Sequence, residues 1–380
     1  MYENIAVELT RELVRIESFS IKGKQNIVQF MFNKIKQETS ADVIIIDGES
    51  DNPYLIAHHK NGEGHKLLLQ GHLDTVSLDG VEDPLNPIEK DGEIYGRGSC
   101  DMKSGCACNY AAFKYACDHN LSGEVYLMYS TDEETYAQQT LAAFEKGLLP
   151  QCDIGIITEP TNKTLMVAQK GDAWIEVEFI GKAAHSSMPE RGENAIYMAC
   201  EFILAYKKLT EEKYKKNSHE LLGEAKMNVG VINGGIQANS VPSSCKITID
   251  KRYLPNETIE DFKAEIDQVA KELKKNSPAF DHKVKVLVDC TPMEFDSSSE
   301  KFLKLKSILE KSLGKTLKVD VFGGWAEGGT LAKFNTDTLY FGPGDYFYAH
   351  TDDERVGIKE IGEVTRGIIS IVSNMHTQAI

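Results

Sequence analysis

Five side chains of this 380-residue chain, His72, Asp101, Glu134, Glu159 and His350, fall where strands are predicted to end or a helix to begin. Imidazole and carboxylate groups gathered in one place are what two zinc ions would ask for, because zinc takes nitrogen and oxygen donors of these kinds. The surroundings of each residue carry the argument. Residues 66 to 70 (K-L-L-L-Q) read as a short buried strand, and G-H-L-D-T-V follows at once, placing His72 and Asp74 just past its carboxyl end. Residues 124 to 130 (E-V-Y-L-M-Y-S) lead in the same way into T-D-E-E-T, which carries Asp132, Glu133 and Glu134. Residues 153 to 157 lead into T-E-P-T with Glu159, and residues 338 to 341 lead into G-P-G-D-Y-F-Y-A-H-T with His350. In open α/β sheets ligands bind beyond the carboxyl ends of the strands, so four separate segments are expected to deliver polar groups to one crevice.

Asp101 opens a helix-like stretch from Met102 to about Asn120. Its plainest reading is an N-cap whose carboxylate accepts a backbone N–H. A capping carboxylate still presents its second oxygen outward, so cap and metal bridge are compatible, and beside the other four residues the bridge is the stronger reading. A lone histidine after a strand is more often a hydrogen-bonded loop residue, and a Glu-Glu pair is usually solvated surface. His72 and Asp74, however, sit in the apolar context L-L-L-Q-G-H-L-D-T-V, where an unpaired polar pair is costly to bury and a metal removes the cost.

The elements that must hold these residues follow from pattern. Between about Asp172 and Val288 the chain alternates as strand (174–180), helix (193–209), strand (226–233), strand (245–253), helix (258–274) and strand (283–288), a β-α-β-β-α-β ferredoxin-like unit. Glu159 and His350 lie on either side of it, so the unit interrupts an α/β domain: residues 1–171 and 289–380 are expected to form one domain and 172–288 a second. Net charge of −16 argues against nucleic acid as a partner, since phosphate binding demands a basic face. No apolar run approaches the ~20 residues of a membrane span, and the amphipathic N-terminus lacks the apolar block of a signal peptide, so a cytoplasmic protein is expected. The eight cysteines form no C-x-x-C pair and read as free thiols in a reducing compartment. Cys100, next to Asp101, is the one expected to be oxidation-sensitive or to contact stray metal.

Several strings taken together resemble the zinc-dependent amidohydrolase and exopeptidase family of acetylornithine deacetylase, succinyl-diaminopimelate desuccinylase, carboxypeptidase G and aminoacylase. They are G-H-L-D-T-V (71–76), Y-G-R-G-S-C-D-M-K-S-G (95–105), T-D-E-E-T (131–135), T-E-P-T (158–161), A-H-S-S-M-P (184–189), G-G-I-Q-A-N-S-V-P (234–242), D-K-R-Y-L-P (250–255) and G-P-G…A-H-T (342–351), in the family's order over nearly the whole chain. The resemblance implies a mixed-sheet α/β catalytic domain of the dizinc-exopeptidase kind with an inserted ferredoxin-like lid and dimerisation domain. It implies that Asp101 bridges two zinc ions, that His72 and Glu159 complete one site, and that Glu134 and His350 complete the other. Cobalt or manganese are possible substitutes, because carboxylate and imidazole accept all three. Asp74 would orient His72, Glu133 would be the general base, and His185 would stabilise the oxyanion from the neighbouring subunit of a homodimer. Arg252 would grip a substrate carboxylate and Asn239 would touch substrate, although by themselves they read equally as a strand arginine and a turn asparagine.

The implied activity is hydrolysis of an amide bond in a small N-acyl amino acid, with acetylornithine the leading substrate. A dipeptidase or tripeptidase and a succinyl-diaminopimelate desuccinylase are the alternatives, and a non-catalytic binding protein is disfavoured because no key position is missing. The segment V-F-G-G-W-A-E-G-G-T (321–330) departs from the G-G-T-S-D-G-R string of desuccinylases. In it Trp325 and Glu327 read as pocket residues, with Glu327 a candidate partner for a cationic amine, or equally as packing residues.

Overall fold

Leu67, Leu68 and Leu69 are fully buried, as their apolar run requires, and their strand lies in the middle of a mixed sheet that has nine strands among the described residues. The structure, a computed structural model, describes residues 1–48, 51–135 and 137–375. Six of the sheet's strands are β1 (Asp42–Asp47), β2 (Pro53–Asn61), β3 (Lys66–His72), β4 (Gly123–Ser130), β5 (Ile154–Ile157) and β6 (Leu165–Gln169). The order across the sheet is β1-β2-β4-β3-β5, then Asp337–Tyr340, then β6, with Met293–Glu294 and Val319–Phe322 beside β6. Four neighbours at its centre run parallel: β4 with β3, β3 with β5, and β5 with Asp337–Tyr340. Their carboxyl ends therefore open on the same edge. Strands buried on both faces account for the continuous apolar runs that stood in place of alternation in the sequence.

Helices α1 (Tyr2–Val14), α2 (Ile21–Glu38), α3 (Ser104–Asp118) and the C-terminal helix Ile358–Met375 supply much of the remaining core, with Leu9, Leu13, Ile27, Met31, Phe113, Val364 and Ile368 at or near zero exposure. The chain departs from the sequence reading before α3. The helix begins at Ser104, not at Met102, and Asp101 is extended at φ −119°, ψ 103°, with a cis peptide to Met102. Asp101 is thus no N-cap; its carboxylate is free of the helix because the backbone turns away before the helical hydrogen bonds start.

The chain divides into two compact units, one comprising Met1–Ala168, Glu294–Phe322 and the residues from Ala326 onward, the other Gln169–Met293 with Gly323–Trp325. The second unit has the ferredoxin-like order: β7 (Gly171–Ile180), the helix Ala195–Tyr214, β8 (Lys226–Gly234), β9 (Ser244–Tyr253), the helix Ile259–Asn276 and β10 (His282–Cys290), with sheet order β8-β9-β7-β10 and antiparallel neighbours throughout. Alternate residues of β7 face the helices, so Ala173, Ile175, Val177 and Phe179 are buried against Phe202 and Phe262. Asn194 accepts from the N–H groups of Ile196 and Tyr197, and Thr258 with Asp261 forms a capping box, which fix where the two helices start. The mixed α/β architecture with a ferredoxin-like insert is the one the sequence and its resemblance imply.

Candidate metal centre

The four parallel strands each hand one group to the same edge: His72 ends β3, Glu134 follows β4, Glu159 follows β5, and His350 follows Asp337–Tyr340. Asp101 enters from the turn before α3. Its Oδ1 lies 3.1 Å from His72 Nε2 and its Oδ2 lies 3.4 Å from His350 Nε2, so the two oxygens of one carboxylate look toward different imidazoles. Glu159 Oε1 is 3.9 Å from His72 Nε2, and Glu134 Oε1 is 3.0 Å from His350 Nε2. Two triads result, His72–Asp101–Glu159 and Asp101–Glu134–His350, each with donor atoms within 4.8 Å of one another and with Asp101 common to both.

Close packing makes the convergence possible. A Cβ on Gly105 would lie 2.1 Å from the Thr158 carbonyl oxygen, and one on Gly342 would lie 2.2 Å from that of Glu159. Only glycine lets α3 and the G-P-G loop press on the Glu159 segment from both sides. His350 itself sits at φ 62°, the left-handed region that non-glycine residues seldom occupy.

The electrostatics demand positive charge. Asp101, Glu133, Glu134 and Glu159 crowd around two imidazoles, with Glu133 Oε2 4.0 Å from His72 Nε2. Burial, reinforced by the neighbouring acids, pushes Glu133 and Glu159 well above the usual carboxylate range and Glu134 upward. Burial also opposes ionisation of Asp101, but hydrogen bonds from both histidines hold it low. The hydrogen bonds to Asp101 and Glu134 push His350 up to about 10. Burial disfavours a charged His72, yet the carboxylates around it win and raise it well above its ordinary value. Burial and mutual repulsion thus keep the four acids from ionising together, a cost that two divalent ions beside neutral imidazoles would offset. The oxygen and imidazole donor set thus fits a pair of divalent metals.

Asp74 is fully buried beside His72, but the shortest contact differs from the expected carboxylate–histidine pair. His72 Nδ1 lies 3.0 Å from the Asp74 backbone carbonyl and 3.5 Å from its carboxylate. The Nδ1–H therefore donates to the carbonyl, which directs Nε2 at the centre. The Asp74 carboxylate instead accepts the Glu134 backbone N–H at 3.2 Å, and Lys24 Nζ, buried on α2, stands 3.9 Å away.

The remaining assigned residues belong to the second unit. His185 and Asn239 occupy adjoining exposed loops, joined by a bridge between His185 and Ser240 and by the Ser186 N–H donating to the Asn239 carbonyl. His185 Nδ1 is 2.7 Å from Ser187 Oγ. Arg252, on β9, pairs with Asp172 at 2.9 Å and Asp250 at 3.0 Å.

The structure favours the packing reading of Glu327 and Trp325 and changes the expectation for Cys100. Glu327 is buried and its carboxylate already accepts from Ser130 Oγ at 2.8 Å and from Gln70 and Thr140, so it is satisfied by neutral donors and unavailable to a cationic amine. Trp325 turns its indole N–H to the Thr291 carbonyl. Cys100 is fully buried, donates to the Asp345 carbonyl, and burial pushes its thiol well up, which removes the accessible thiolate that oxidation requires. Lys24, Arg97 and Glu354 were missed by sequence reasoning; Arg97 lies inside the Y-G-R-G string and Glu354 four residues beyond His350, so position next to the ligand motifs was the signal available.

Comparison with known proteins agrees with this geometry. Residues 167–278 match the peptidase dimerisation domain of the M20 family. The chain is 31% identical to the acetylornithine deacetylase of Proteus mirabilis over 321 residues, covering 83% of this chain and 80% of the relative. It is 29% identical to a probable succinyl-diaminopimelate desuccinylase of Staphylococcus aureus, covering 78% and 80%. Its fold matches a dinuclear metal-binding peptidase of the M20 family from Bacillus subtilis with a TM-score of 0.71 at 12% identity, covering 99% of this chain and 98% of that one. Among the described residues no helix is long and apolar enough to cross a membrane. With the candidate donors at the strand ends and sequence kinship pointing the same way, the chain belongs to the M20 family of metal-dependent hydrolases of amide and peptide bonds, alongside acetylornithine deacetylase and succinyl-diaminopimelate desuccinylase.

Proposed function

We propose that this protein removes the acyl group from a small N-acyl amino acid, acting as an acetylornithine deacetylase-like enzyme with two zinc ions. The observation that carries the reading is the pair of triads sharing Asp101, with the carboxylate of Glu133 beside them. His72, Asp101 and Glu159 would hold one ion, and Asp101, Glu134 and His350 the other. Such ions supply Lewis acidity and lower the pKa of water toward ~7. Glu133 accepts the proton that the attacking water loses and returns it to the departing nitrogen as the C–N bond breaks. Asp74 keeps Nε2 of His72 aimed at the centre through its carbonyl.

In this reading residues 1–171 and 289–380 are the metal-bearing domain and 172–288 the lid and dimerisation domain, from which Arg252 and Asn239 meet the substrate and His185 serves the neighbouring subunit's site. The dimerisation-domain match supports a homodimer, and free, mostly buried cysteines suit a reducing compartment such as the cytoplasm. A peptidase reading is favoured by one observation, the Arg252 guanidinium on β9, which suits a peptide's terminal carboxylate as well as an amino acid's.

The test is hydrolysis of N-acetylornithine, N-succinyl-diaminopimelate, other N-acetyl amino acids and di- and tripeptides by Zn²⁺-reconstituted protein, each with a chelated control. Chelator-sensitive turnover concentrated on N-acetylornithine is expected. Preference for peptides moves the protein to the peptidases, and turnover unaffected by chelator overturns the metal mechanism.

A further inference from the structure

Arg97 and Glu354 form a buried ion pair that the chemistry above does not use. Arg97 is 3% exposed and Glu354 2%, with Nη1 and Oε2 2.7 Å apart. Replacing such a pair with apolar residues is often neutral or stabilising, so burial alone gives no reason for it. Its hydrogen bonds do. Glu354 Oε1 accepts from the backbone N–H of Cys100 at 3.1 Å and of Asp101 at 3.0 Å. Arg97 Nε donates to the Ser77 carbonyl at 3.1 Å, and Nη1 donates to the Thr351 carbonyl at 3.2 Å. The Gly96 N–H adds a bond to the Glu354 carbonyl at 3.1 Å.

These contacts reach the segment that follows His72 and Asp74, the backbone of Asp101 itself, and the residue next to His350. We infer that the Arg97–Glu354 pair is a positioning hub that holds the His72, Asp101 and His350 segments in the arrangement a metal pair requires. The inference rests on the metal-centre reading. A carboxylate with two oxygens and a planar guanidinium fork make directional bonds to several chains at once, which apolar packing cannot do. One residue at the held segments needs such restraint: His350, next to Thr351, is in the left-handed region at φ 62°. Backbone of that kind persists where its surroundings over-determine it.

The test uses the full-length protein, with Zn²⁺ affinity measured by competition against a chromogenic chelator and the Co²⁺-loaded form followed by visible absorption. Arg97→Lys, which keeps the charge and loses the fork, and Glu354→Gln are expected to weaken Zn²⁺ binding by about 10–100-fold. They are also expected to change the Co²⁺ spectrum, and to lower kcat more than KM changes. Glu265→Gln, which breaks the buried Lys251–Glu265 pair of the second unit, is the control. It is expected to lower the melting temperature and leave Zn²⁺ affinity unchanged. Should Glu354→Gln fail to fold, Arg97→Lys decides. Parental Zn²⁺ affinity and Co²⁺ spectrum in folded Arg97→Lys, or a loss of affinity that Glu265→Gln reproduces, overturns the hub. A parent protein that binds no Zn²⁺ overturns the metal-centre reading instead, and stoichiometry tells the two failures apart.

Discussion

His350 and Glu134 stand 216 residues apart in the chain, yet His350 Nε2 lies 3.0 Å from Glu134 Oε1. Neither element that carries them is unusual. What joins them is the parallel order of β4, β3, β5 and Asp337–Tyr340, which brings the ends of distant segments to one edge. A site assembled this way does not exist in the unfolded chain, and the predictions begin from that coupling.

Divalent metal should stabilise the fold. Binding to the native state alone contributes about 2.7 kcal/mol at a free metal concentration of 100 Kd. Thermal melts of chelated and Zn²⁺-loaded protein should separate, and coincident melts would count against both triads.

Glu133→Gln should keep the side chain's shape and remove its capacity to carry the proton. The expected loss in kcat is about 10²–10⁴-fold, with metal content of the purified protein unchanged by elemental analysis. A variant with undiminished turnover, or one that loses its metal, would assign the proton to another group or make Glu133 a ligand.

His185→Ala should lower kcat with little loss of metal. If His185 serves the neighbouring subunit, mixing His185→Ala with Glu133→Gln, each feeble by itself, should regenerate active sites in the mixed dimers. Additive activity after subunit exchange would place His185 in its own chain's site or outside catalysis.

Glu124 offers a pH test away from the metals. Burial opposes its ionisation, but hydrogen bonds from Tyr126 at 2.7 Å, Lys60 at 3.2 Å and His58 at 2.9 Å prevail and hold it at about 2, below its ordinary 4.5. A carboxylate depressed in the folded state contributes stability that is present above its unfolded pKa and lost as pH falls through the folded value. The stability advantage over Glu124→Gln should therefore be full above about pH 4.5 and fade toward pH 2. Urea unfolding of both proteins across that window checks it, and a gap independent of pH would refute it.

The sequence disclosed the strands because each obeys a local rule. Leu67 to Leu69 are apolar without interruption because their strand is covered on both faces, and β7 alternates because one face meets helices. Candidate ligand motifs were legible because a polar pair such as His72 and Asp74 after an apolar run is conspicuous. The helix after Asp101 was started two residues early, at Met102 and not Ser104, because nothing local distinguishes a turn that precedes a helix from the helix's first residue. The sequence left Glu327 open between pocket and packing because its donors, Gln70, Ser130 and Thr140, are far from it in sequence.

Residue types and their succession were enough to specify a mixed α/β domain, an inserted ferredoxin-like unit and a set of candidate metal donors, since periodicity and strand-end position are properties of short segments. Tertiary structure alone decided that Asp101 turns one oxygen to His72 and the other to His350, that Asp74 reaches His72 through its carbonyl, and that Arg97 meets Glu354 across 257 residues. Those are relations between segments, and which segments meet is settled by the order of strands in the sheet and the close packing around it, which no local pattern encodes.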